Sequence, residues 1–512
     1  MPIQPDPETI AGLFMNAARD AGDAPHLVLP DGGTSTYSQT LERARRLAGV
    51  LASGGVGPGT RVVAVMHNCR ALVELYIATA ILGAVSVPVN GSNTSRENEA
   101  VLVDCEPLAV VADAAHLSSL EGRGLPSARL LSDGTSPGWS SYEAETAAGA
   151  PWEGPSSVSG DDPAMIVYSS GTTGRPKGIV LGHRALLVNA RMTLHRLRFR
   201  SSDVFLTLLP LYSSFGHSFD FLQAALARGR TVVEPSFDPG RALRLIERHR
   251  VTCIAGVTTM FVRMFGASAT AGPDVSSLRL LDVGGGPVPD SLKVQLRERA
   301  NVAVVESYGL TEISPVACVE DPAHLSPTGS CGRPLDGITV RVASPDGEGV
   351  RAGESGELLF RSPTLMLEYW RQREATAEAL RDGWLHSGDF GRVDADGNVY
   401  IIDRIKDLIV TSGNNVFPKE VENVIYEHPA VESAAVVGLP DPVRGEVVHA
   451  FVVLRHGRTA SADELIAHCR QSLARFKVPR TITFVDALPL TGSGKIRRVQ
   501  LRESMASPGG AE

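Results

Sequence analysis

Short apolar runs alternate with amphipathic segments along most of the chain. The runs that predict β-strands include 61–68, 83–90, 230–236, 251–257 and 278–286. The amphipathic segments that predict helices between them include 70–82 and 240–249. Because strands alternate with helices and end in turns, the pattern predicts mainly parallel sheets covered by helices. Ligands of such sheets bind at the carboxyl ends of the strands.

Two regions depart from this alternation. Residues 121–162 are rich in Gly, Ser, Ala and Pro and show no sustained periodicity, so we expect a surface loop or linker there. Residues 337–361 carry the turn signals "PDG" and "GESG" between short alternating strands. That pattern predicts a β subdomain containing a hairpin.

The pattern changes again near residue 403. The elements predicted beyond it are helices 418–427 and 462–474 and strands 432–438 and 446–455. We therefore predict a large N-terminal domain over 1–402 and a small α+β C-terminal domain over 403–512. The expected fold class is α/β, with mainly parallel sheets and a β subdomain in the first domain.

The charge and the cysteine content of the chain disfavour a nucleic-acid partner and a metal-binding or catalytic cysteine. The chain has 512 residues, a formal net charge of −8 and a pI of about 5.9, and it contains no long Lys/Arg run. A protein that binds nucleic acid is more often basic, so we expect no such partner. The six cysteines form no CxxC pair, and no histidine cluster has zinc spacing. We expect reduced thiols, with a metal-binding or catalytic cysteine as the disfavoured alternative.

The most apolar stretch does not predict a membrane span. Residues 71–90 contain Glu74 and are interrupted by Gly83 and Pro88, which favours a core helix followed by a strand. The first residues combine acids and prolines and lack the basic-then-apolar pattern of a secretory signal. We expect a soluble cytoplasmic protein.

The stretch "YSSGTTGRPKG" (168–178) combines hydroxyl side chains and glycines with a single lysine, Lys177. It follows an apolar strand, and its backbone N–H groups and hydroxyls can hold phosphate oxygens. A Walker A loop requires Ser or Thr directly after its lysine. Here Gly178 follows and Pro176 precedes, so the P-loop NTPase interpretation fails. From composition alone, a flexible surface loop remains an alternative.

The stretch closely resembles the phosphate loop of AMP-forming ligases, a superfamily of acyl-CoA synthetases, free-standing adenylation enzymes and luciferases. Five further motifs of that superfamily occur in the same order, namely "GGGPVP" (284–289), "ESYGLTE" (306–312), "GWLHSGDFG" (383–391), "DRIKDLIVTSGNNVFPKEVE" (403–422) and "PLTGSGKIRR" (489–498). The resemblance spans residues 168–498. It implies the superfamily's fold, in which a small C-terminal domain moves relative to a large N-terminal one.

The resemblance also implies a reaction in two halves. A carboxylate attacks the α-phosphate of ATP and gives an acyl-adenylate and pyrophosphate. A pantetheine thiol then attacks the adenylate and releases AMP. The implied cofactors are ATP and Mg²⁺, with CoA or the phosphopantetheine of an acyl carrier protein as the acceptor. Charge builds on phosphate oxygens, so preorganised cations and donors should supply most of the catalysis.

Nucleotide contacts follow from the resemblance. It assigns the β- and γ-phosphates to Ser169, Ser170, Gly171, Thr172, Thr173, Gly174 and Lys177. It assigns the surroundings of adenine and ribose to Gly285, Gly286, Pro287, Tyr308, Gly309, Asp389 and Arg404. Thr311 then contacts the α-phosphate, and Glu312 binds Mg²⁺, a hard cation that suits a carboxylate beside phosphate oxygens. Taken singly, Glu312 could instead cap a helix and Arg404 could form a surface ion pair.

The C-terminal motifs imply three further roles. Lys495, in a Gly-rich loop, bridges the acid's oxygen and the α-phosphate during adenylation, whereas an isolated lysine in such a loop would simply be solvated. Asp403 is the hinge about which the C-terminal domain swings. Gly413 lines the pantetheine tunnel, although the chain has Ser412-Gly413 where two glycines are more familiar.

The acid pocket is assigned to Ser213, Gly216, Asp220, Gly256, Asp282 and Gly284. Amino-acid-activating relatives carry Asp at the place of Gly216, so an ordinary α-amino acid is disfavoured. Many acyl-CoA synthetases carry His at the place of Ser213, so a routine fatty acid is disfavoured too. Asp220 suggests a substrate amine farther from the carboxylate, as in a β-amino acid. The alternative is a buried aspartate bonded to backbone or to an arginine, and Asp282 carries the same ambiguity.

The thiol acceptor stays open between two molecules. CoA is favoured because "ARFKVPR" (474–480) resembles the C-terminal segment of CoA ligases. Loading of a carrier protein is the alternative, because Asp220 suggests specialised biosynthesis. A third class, a nucleotide-binding protein without catalysis, is disfavoured because the chain keeps both Lys495 and Glu312.

Overall fold

The computed structural model of the protein describes most of the chain. The described ranges are 8–120, 124–154, 158–169, 176–265, 272–286, 288–344, 349–490 and 496–506. Within these ranges, no helix combines the length and the apolarity that crossing a bilayer requires.

Helices and strands alternate as the sequence pattern predicts. The helices are α1 (Ile10–Ala21), α2 (Tyr37–Ser53), α3 (Arg70–Leu82), α4 (Ser95–Cys105), α5 (Tyr142–Ala148), α6 (His183–Leu197), α7 (Ser214–Gly216), α8 (Ala224–Ala227), α9 (Pro239–His249), α10 (Thr258–Phe265), α11 (Asp290–Ala300), α12 (Arg373–Ala379), α13 (Pro418–Tyr426), α14 (Ala462–Ser472) and α15 (Arg498–Ala506). A π-helical segment, His217–Gln223, joins α7 to α8, so that 214–227 form one continuous helix.

The strands are short, and most lie in two large sheets. In chain order they are β1 (Pro25–Val28), β2 (Thr34–Thr36), β3 (Arg61–Val65), β4 (Val85–Pro88), β5 (Ala109–Ala112), β6 (Ala128–Leu131), β7 (Ser140–Ser141), β8 (Pro163–Ser169), β9 (Lys177–Gly182), β10 (Val204–Leu206), β11 (Arg230–Val232), β12 (Cys253–Gly256), β13 (Leu280–Gly284), β14 (Ala303–Gly309), β15 (Val316–Val319), β16 (Arg333–Pro334), β17 (Thr339–Ala343), β18 (Ser355–Arg361), β19 (Glu368–Tyr369), β20 (Leu385–Val393), β21 (Val399–Arg404), β22 (Ile409–Thr411), β23 (Asn414–Val416), β24 (Val431–Asp441), β25 (Gly445–Leu454) and β26 (Thr481–Phe484).

The chain divides into two compact units. The first unit comprises Met1–Ser326, Cys331–Thr339 and Arg361–Leu385. The second comprises Pro327–Ser330, Val340–Phe360 and His386–Glu512. The domain boundary at 402/403 remains a prediction.

One sheet of the first unit has eight strands in the order β19-β9-β8-β4-β3-β5-β6-β7. The six strands from β8 to β7 run parallel, and β9 and β19 extend the sheet antiparallel. Strand β5 is entirely apolar and buried, as expected where helices cover both faces. Helix α3 is buried over 71–82 and ends at Gly83, whose φ of +68° closes the helix without strain.

The other sheet of the first unit has nine strands in the order β16-β15-β14-β13-β12-β10-β11-β1-β2. Its central strands run parallel, and β2, β15 and β16 add antiparallel edges. The two sheets and their covering helices confirm the predicted large part with mainly parallel sheets.

The prediction of a loop or linker over 121–162 is wrong. The region contains β6 and β7, which extend the parallel sheet beyond β5, and helix α5. Tyr142 of α5 is buried, and its hydroxyl donates to Glu74 Oε2 at 2.6 Å. The two strands carry no β-branched residue, so the pairing of β6 with β5 and of β7 with β6 forms them rather than local preference.

The second unit holds two smaller sheets. The order β17-β18-β20-β21 forms a sheet whose first two strands are those of the predicted β subdomain, but β20 and β21 extend it beyond residue 361, and it belongs to the second unit, not to the first as predicted. The order β23-β22-β25-β24 with β26 forms the core of the C-terminal part. Apolar side chains of α13 and α14, such as Val421 and Leu465, pack against β24 and β25. This part is α+β, as predicted, whereas its mobility remains a prediction.

All six cysteines are free thiols, and five of them are buried. Burial raises the pKa of Cys69, Cys105 and Cys253 to about 12. A thiol with a raised pKa is a poor nucleophile and metal ligand, so these side chains serve packing.

Candidate active site

The predicted phosphate loop connects two antiparallel strands of the eight-stranded sheet. Strand β8 ends at Ser169 and β9 begins at Lys177, and these two residues pair with each other. The loop therefore leaves the sheet at the carboxyl end of a parallel strand, where ligands of such sheets bind. Five predicted phosphate contacts lie outside the described residues: Ser170, Gly171, Thr172, Thr173 and Gly174.

Lys177 lies against an aromatic ring that also contacts a carboxylate. Its Nζ is 3.4 Å from the centre of the Tyr369 ring, and the Tyr369 hydroxyl donates to Glu312 Oε1 at 2.9 Å. We call Lys177, Tyr369 and Glu312 the Lys–Tyr–Glu cluster. Desolvation lowers the pKa of Lys177, while the charges of Glu312 and Glu378 act in the opposite direction. Tyr369 could not be found from the sequence pattern, because its contact with Lys177 arises from the pairing of β19 with β9.

The turn that carries Glu312 is fixed from two sides. The amide nitrogen of Asn189, in α6, donates to the carbonyl oxygens of Ile313 at 3.0 Å and Val316 at 2.7 Å. The N–H of Met366 donates to the carbonyl oxygen of Glu312 at 2.8 Å. Hydrogen bonds from two distant segments therefore hold the backbone of the turn that carries Glu312.

Other predicted nucleotide residues lie at the carboxyl ends of two neighbouring parallel strands. Gly284, the last residue of β13, pairs with Ser307 of β14. The predicted residues at these strand ends are Gly285 and Gly286 after β13 and Tyr308 and Gly309 in β14. Pro287 lies outside the described residues.

The segment before the 214–227 helix is fixed by its own hydrogen bonds. The Ser213 hydroxyl accepts from the N–H of Gly216 at 3.1 Å and donates to the carbonyl oxygen of Pro210 at 2.7 Å. Ser213 thus caps the helix, a common role for serine at this position. The next residue, Ser214, exchanges a hydrogen bond of 3.0 Å with the Thr311 hydroxyl and so joins the helix to the Glu312 turn.

The predicted pocket residues come from the helix and from two strands that pack near it. Gly256 ends β12, and Asp282 and Gly284 lie in β13. A side chain at Gly284 would collide with the Ser307 hydroxyl and press on the Phe215 ring. The glycine therefore allows the helix to approach β13 closely.

Asp220 is buried in the π-helical segment, with 2% of its surface exposed. Among the described residues, no group hydrogen-bonds to either of its carboxyl oxygens. The alternative prediction was a structural aspartate bonded to backbone or to an arginine, and no such bonding group is found among the described residues. Burial raises the pKa of Asp220 well above its usual range, which favours the neutral form of the carboxyl.

Two other polar residues of the π-helical segment, His217 and Gln223, are also buried and carry side-chain atoms without a hydrogen-bond partner among the described residues. His217 is fully buried between Tyr76 and Phe221, with ring centres 4.7 and 5.0 Å away. Neither His217 nitrogen nor the Gln223 Oε1 has a partner within the described ranges. Burial lowers the pKa of His217 to about 3, so the ring is neutral. The sequence reasoning missed His217 and Gln223; their spacing with Asp220, every third residue in an apolar run, was the available signal.

Asp282 is the second buried acid near this helix. Burial raises its pKa to about 7, the Ser307 hydroxyl lowers it, and the charges of Glu320 and Glu306 raise it. Glu306 and Glu320 lie close to the buried Lys293, whose Nζ is 3.0 Å from Glu306 Oε2 and 3.6 Å from Glu320 Oε2. The single positive charge of Lys293 offsets only part of the charge of the two glutamates, and the remainder disfavours the ionised form of Asp282.

In the second unit, Asp389 and Arg404 face each other on β20 and β21. They pair across the antiparallel strands, and Arg404 Nε lies 2.9 Å from Asp389 Oδ1. The Asp389 side chain is only 3% exposed, whereas that of Arg404 is 45% exposed. A carboxylate accepts hydrogen bonds, which is the chemistry that the predicted contact of Asp389 with the vicinal hydroxyls of a ribose requires.

The predicted hinge residue is anchored by backbone groups. Asp403 accepts from the N–H of Arg404 and from the N–H of Lys419, each at 2.8 Å. Gly413, predicted to line the thiol tunnel, lies with Ser412 in the tight turn between β22 and β23, and both have positive φ. Such a two-residue hairpin favours glycine. Lys495 lies outside the described residues.

Comparison with known proteins decides the family. Residues 14–370 match the model of the AMP-binding enzyme, and residues 420–495 match the model of the AMP-binding enzyme C-terminal domain. The chain belongs to the AMP-binding enzyme family. The predicted superfamily membership is thereby confirmed.

Relatives of this AMP-binding enzyme match it over nearly their whole length. It is 39% identical to feruloyl-CoA synthase of an Amycolatopsis species over 494 residues, 96% of this chain and 98% of that protein. It is 34% identical to fatty acid–[acyl-carrier-protein] ligase ScoC of Streptomyces coeruleorubidus over 486 residues, 93% of this chain and 92% of that protein. The anthranilate CoA ligase AuaEII in complex with anthranoyl-AMP has a TM-score of 0.90 at 28% identity, covering 97% of both chains.

The family membership fixes the reaction class. The AMP-binding enzyme activates a carboxylic acid by adenylation, binds ATP and is an AMP-forming acid–thiol ligase. The acid, the thiol acceptor and the residues that perform each step are matters of proposal.

Proposed function

We propose that the enzyme activates an aromatic carboxylic acid carrying a hydroxyl or similar polar substituent and transfers the acyl group to CoA. The observation that carries this proposal is that His217 and Asp220 are both buried. Neither the ring nitrogens of His217 nor the carboxyl oxygens of Asp220 have a hydrogen-bond partner within the described ranges. The feruloyl group named for the 39% identical relative is an aromatic acyl group of this kind and supports the proposal.

The Lys–Tyr–Glu cluster is proposed to hold the triphosphate. The Lys177 ammonium neutralises charge on the β- and γ-phosphates, and Ser169 lies beside it at the base of the loop. Glu312 offers one carboxylate to Mg²⁺, which needs hard oxygen ligands and, when bound, neutralises phosphate charge. Tyr369 contacts both residues, so that one rigid side chain keeps cation and carboxylate apart at a fixed spacing.

The acid pocket is proposed to recognise a neutral polar group. A buried polar group without a partner costs about 1–3 kcal/mol, which a ligand that supplies the missing hydrogen bond recovers. Neutral Asp220 can donate and accept, and neutral His217 offers one donor and one acceptor. A hydroxyl, which also donates and accepts, complements both. The aromatic rings of Phe215 and Phe219, whose centres lie 6.4 Å apart, suit an aromatic acyl group.

A second candidate function follows from the same aspartate. If the substrate carried an ammonium, Asp220 would ionise and pair with it, because an opposite charge favours the charged form. The enzyme would then load an amine-bearing acid, such as a β-amino acid, onto a carrier protein. The 34% identical relative ScoC, named as a carrier-protein ligase, supports this acceptor.

The second unit is proposed to act in both half-reactions. Residues 403–512 move about Asp403, Asp389 accepts from the ribose hydroxyls, and Arg404 contacts ribose or phosphate. Lys495 stabilises the charge that develops between the acid and the α-phosphate, and Gly413 leaves room for the thiol. If so, Lys495→Ala slows ATP–pyrophosphate exchange at least ~10²-fold but spares thioester formation from a supplied acyl-adenylate. Near-normal exchange in that variant would refute the assignment.

The proposed function is tested by acid-dependent ATP–pyrophosphate exchange. The panel pairs aromatic acids with and without a ring hydroxyl and adds aliphatic, α-amino and β-amino acids. We expect the hydroxylated aromatic acids to give the highest kcat/KM. A β-amino acid giving the highest value would favour the second candidate, and an aliphatic or α-amino acid doing so would contradict both.

The acceptor is tested with the best acid of that panel. Thioester formation is measured once with CoA and once with a phosphopantetheinylated carrier protein. We expect CoA to be the faster acceptor. A carrier protein acylated faster than CoA would overturn that part of the proposal.

A further inference from the structure

A cluster of histidine and aspartate side chains lies at the carboxyl ends of two neighbouring parallel strands. Strands β3 and β5 pair in parallel, with Val65 opposite Ala112 at their ends. His67 follows β3, Asp113 follows β5 directly, and His116 lies three residues farther, in a 3₁₀ turn. The topology therefore brings together residues that are 46 positions apart in sequence.

The three side chains are in direct contact. Asp113 Oδ2 accepts from His67 Nδ1 at 2.8 Å, and Asp113 Oδ1 bonds to His116 Nδ1. One ring nitrogen of each histidine and one carboxylate oxygen lie within 4.8 Å of one another. Among the described residues, this is the one group of three or more such side chains that could hold a metal ion.

The surrounding backbone holds the carboxylate in place independently of the two rings. The N–H groups of His67 and His116 donate to the two Asp113 oxygens at 2.9 and 3.1 Å. Gly91, after β4, contributes by its lack of a side chain, because a Cβ there would collide with the His116 ring. The residues that form and surround the cluster thus follow three strands, β3, β4 and β5, and the two backbone donors hold the carboxylate beside both rings.

One side of the cluster is open. The side chains of Asp113 and His116 are 8% and 11% exposed, whereas that of His67 is 43% exposed. An ion can therefore reach the two buried ligands from the His67 side and keep water in its remaining positions. Three protein ligands with an open position are a common arrangement for zinc.

The chemistry of the donors selects the class of ion. Two imidazoles and one carboxylate suit Zn²⁺ and neighbouring first-row divalent ions, whereas Mg²⁺ prefers oxygen ligands alone. We propose that His67, Asp113 and His116 form a Zn²⁺ site, separate from the Mg²⁺ role proposed for Glu312. Neutral imidazole supplies the lone pair, so each ring binds with its proton on the other nitrogen.

Binding there would stabilise the segment that leads into the acid pocket. Asn68, next to His67, donates to the carbonyl oxygens of Leu209 at 2.9 Å and Glu234 at 3.1 Å. Its Oδ1 accepts from the N–H of Leu211 at 2.7 Å. An ion that fixes His67 therefore fixes the loop to which residues 209–211 are bonded.

The test measures Zn²⁺ binding by the full-length protein after chelator treatment. Zn²⁺ is titrated in competition with a chromophoric chelator, and Co²⁺ serves as a spectroscopic substitute. We expect one Zn²⁺ per chain, a rise in Tm on binding, and a visible Co²⁺ spectrum typical of nitrogen–oxygen ligation. Mg²⁺ at the same concentration should neither displace Zn²⁺ nor raise Tm through this cluster.

Substitutions of the cluster residues test whether the ion binds at this place. His67→Ala and Asp113→Asn should each lower Zn²⁺ affinity at least ~10-fold and abolish the Tm shift. His67 is partly exposed, so its loss leaves the core intact, and circular dichroism checks the fold of both variants. His456→Ala removes an exposed histidine of the second unit and should bind Zn²⁺ like the parent protein. The proposal is overturned if the parent binds no stoichiometric Zn²⁺ or if both cluster variants bind it unchanged.

Discussion

The Lys–Tyr–Glu cluster and the residues proposed for the acid pocket lie in the same unit but satisfy their polar groups differently. In the cluster, Tyr369 contacts both the Lys177 ammonium and the Glu312 carboxylate. In the pocket, Asp220 and His217 are buried with no hydrogen-bond partner among the described residues. The polar groups of the first region have partners within the protein, whereas those of the second have none among the described residues, and we propose that a ligand supplies them.

The difference matches what each region has to bind. A triphosphate is the same for every acid, so the protein can supply fixed charges for it at no loss of selectivity. The acid varies between relatives, and selectivity arises when the wrong acid leaves buried polar groups unpaired. We therefore expect changes in the cluster to affect all acids alike and changes in the pocket to separate one acid from another.

The largest expected effect comes from Glu312→Gln. The substitution keeps the shape and the acceptor for Tyr369 but removes the charge proposed to bind Mg²⁺. We expect kcat/KM for ATP–pyrophosphate exchange to fall ~10²-fold or more, equally for every acid tested. Glu378→Gln, which alters a more exposed carboxylate near Lys177, should cost less than ~3-fold. An equal loss of kcat/KM in the two variants would contradict the Mg²⁺-binding role proposed for Glu312.

The next effect is a gain in stability from Asp220→Leu. Removing a buried, unpartnered carboxyl should raise the unfolding free energy of the ligand-free enzyme by about 1–3 kcal/mol. Because the folded protein holds the Asp220 proton and the unfolded chain releases it above about pH 4, parent stability falls as the pH rises. The gain should therefore be larger at about pH 8 than at about pH 5.

Thermal unfolding at both pH values measures that gain. Asp463→Leu, at an exposed aspartate of α14, is the matched control and should give no gain. A loss of stability in Asp220→Leu at neutral pH would show that the carboxyl has a partner in the free enzyme.

A smaller effect is expected from Tyr369→Phe. The ring still faces Lys177, but the hydrogen bond to Glu312 is lost, which is worth about 0.5–1.5 kcal/mol. We expect a roughly 3- to 10-fold rise in the Mg²⁺ concentration needed for half-maximal exchange, with no change in acid preference. Tyr400→Phe, which loses a 3.0 Å bond to Asp394 in the second unit, should leave the Mg²⁺ dependence unchanged.

The smallest effect is expected from Ser213→Ala. Its hydroxyl caps the 214–227 helix, so its loss should cost about 1 kcal/mol of stability and leave acid preference unchanged. Ser461→Ala removes the equivalent cap of α14, whose hydroxyl accepts from the N–H of Glu464 at 3.2 Å, and should cost a similar amount. A change in acid preference for Ser213→Ala alone would place Ser213 in the pocket as a substrate contact.

The sequence could predict those features that depend on neighbouring residues. Helix α3 was predicted over 70–82 and found there, because its long apolar run and its glycine end are local signals. The strand predicted to precede the proposed phosphate loop was found as β8, because its apolar run is a local signal. The α/β class followed from the same alternation.

Features made by tertiary contact could not be predicted in the same way. Tyr369 reaches Lys177 through the pairing of two strands distant in sequence. Strands β6 and β7 form because β5 offers a free edge, not because their residues favour a strand. The cluster of His67, Asp113 and His116 has no zinc spacing in the sequence, since adjacent strand ends create it.

The central claim, that Asp220 recognises a polar group of the acid, is tested most directly by a cycle of two acids and two enzymes. The kcat/KM for ATP–pyrophosphate exchange is measured for the best hydroxylated aromatic acid and for its analogue without the hydroxyl. The ratio of the two values should be ~10-fold or more in the parent enzyme and close to one in Asp220→Leu. A ratio that is the same in both enzymes would contradict the account.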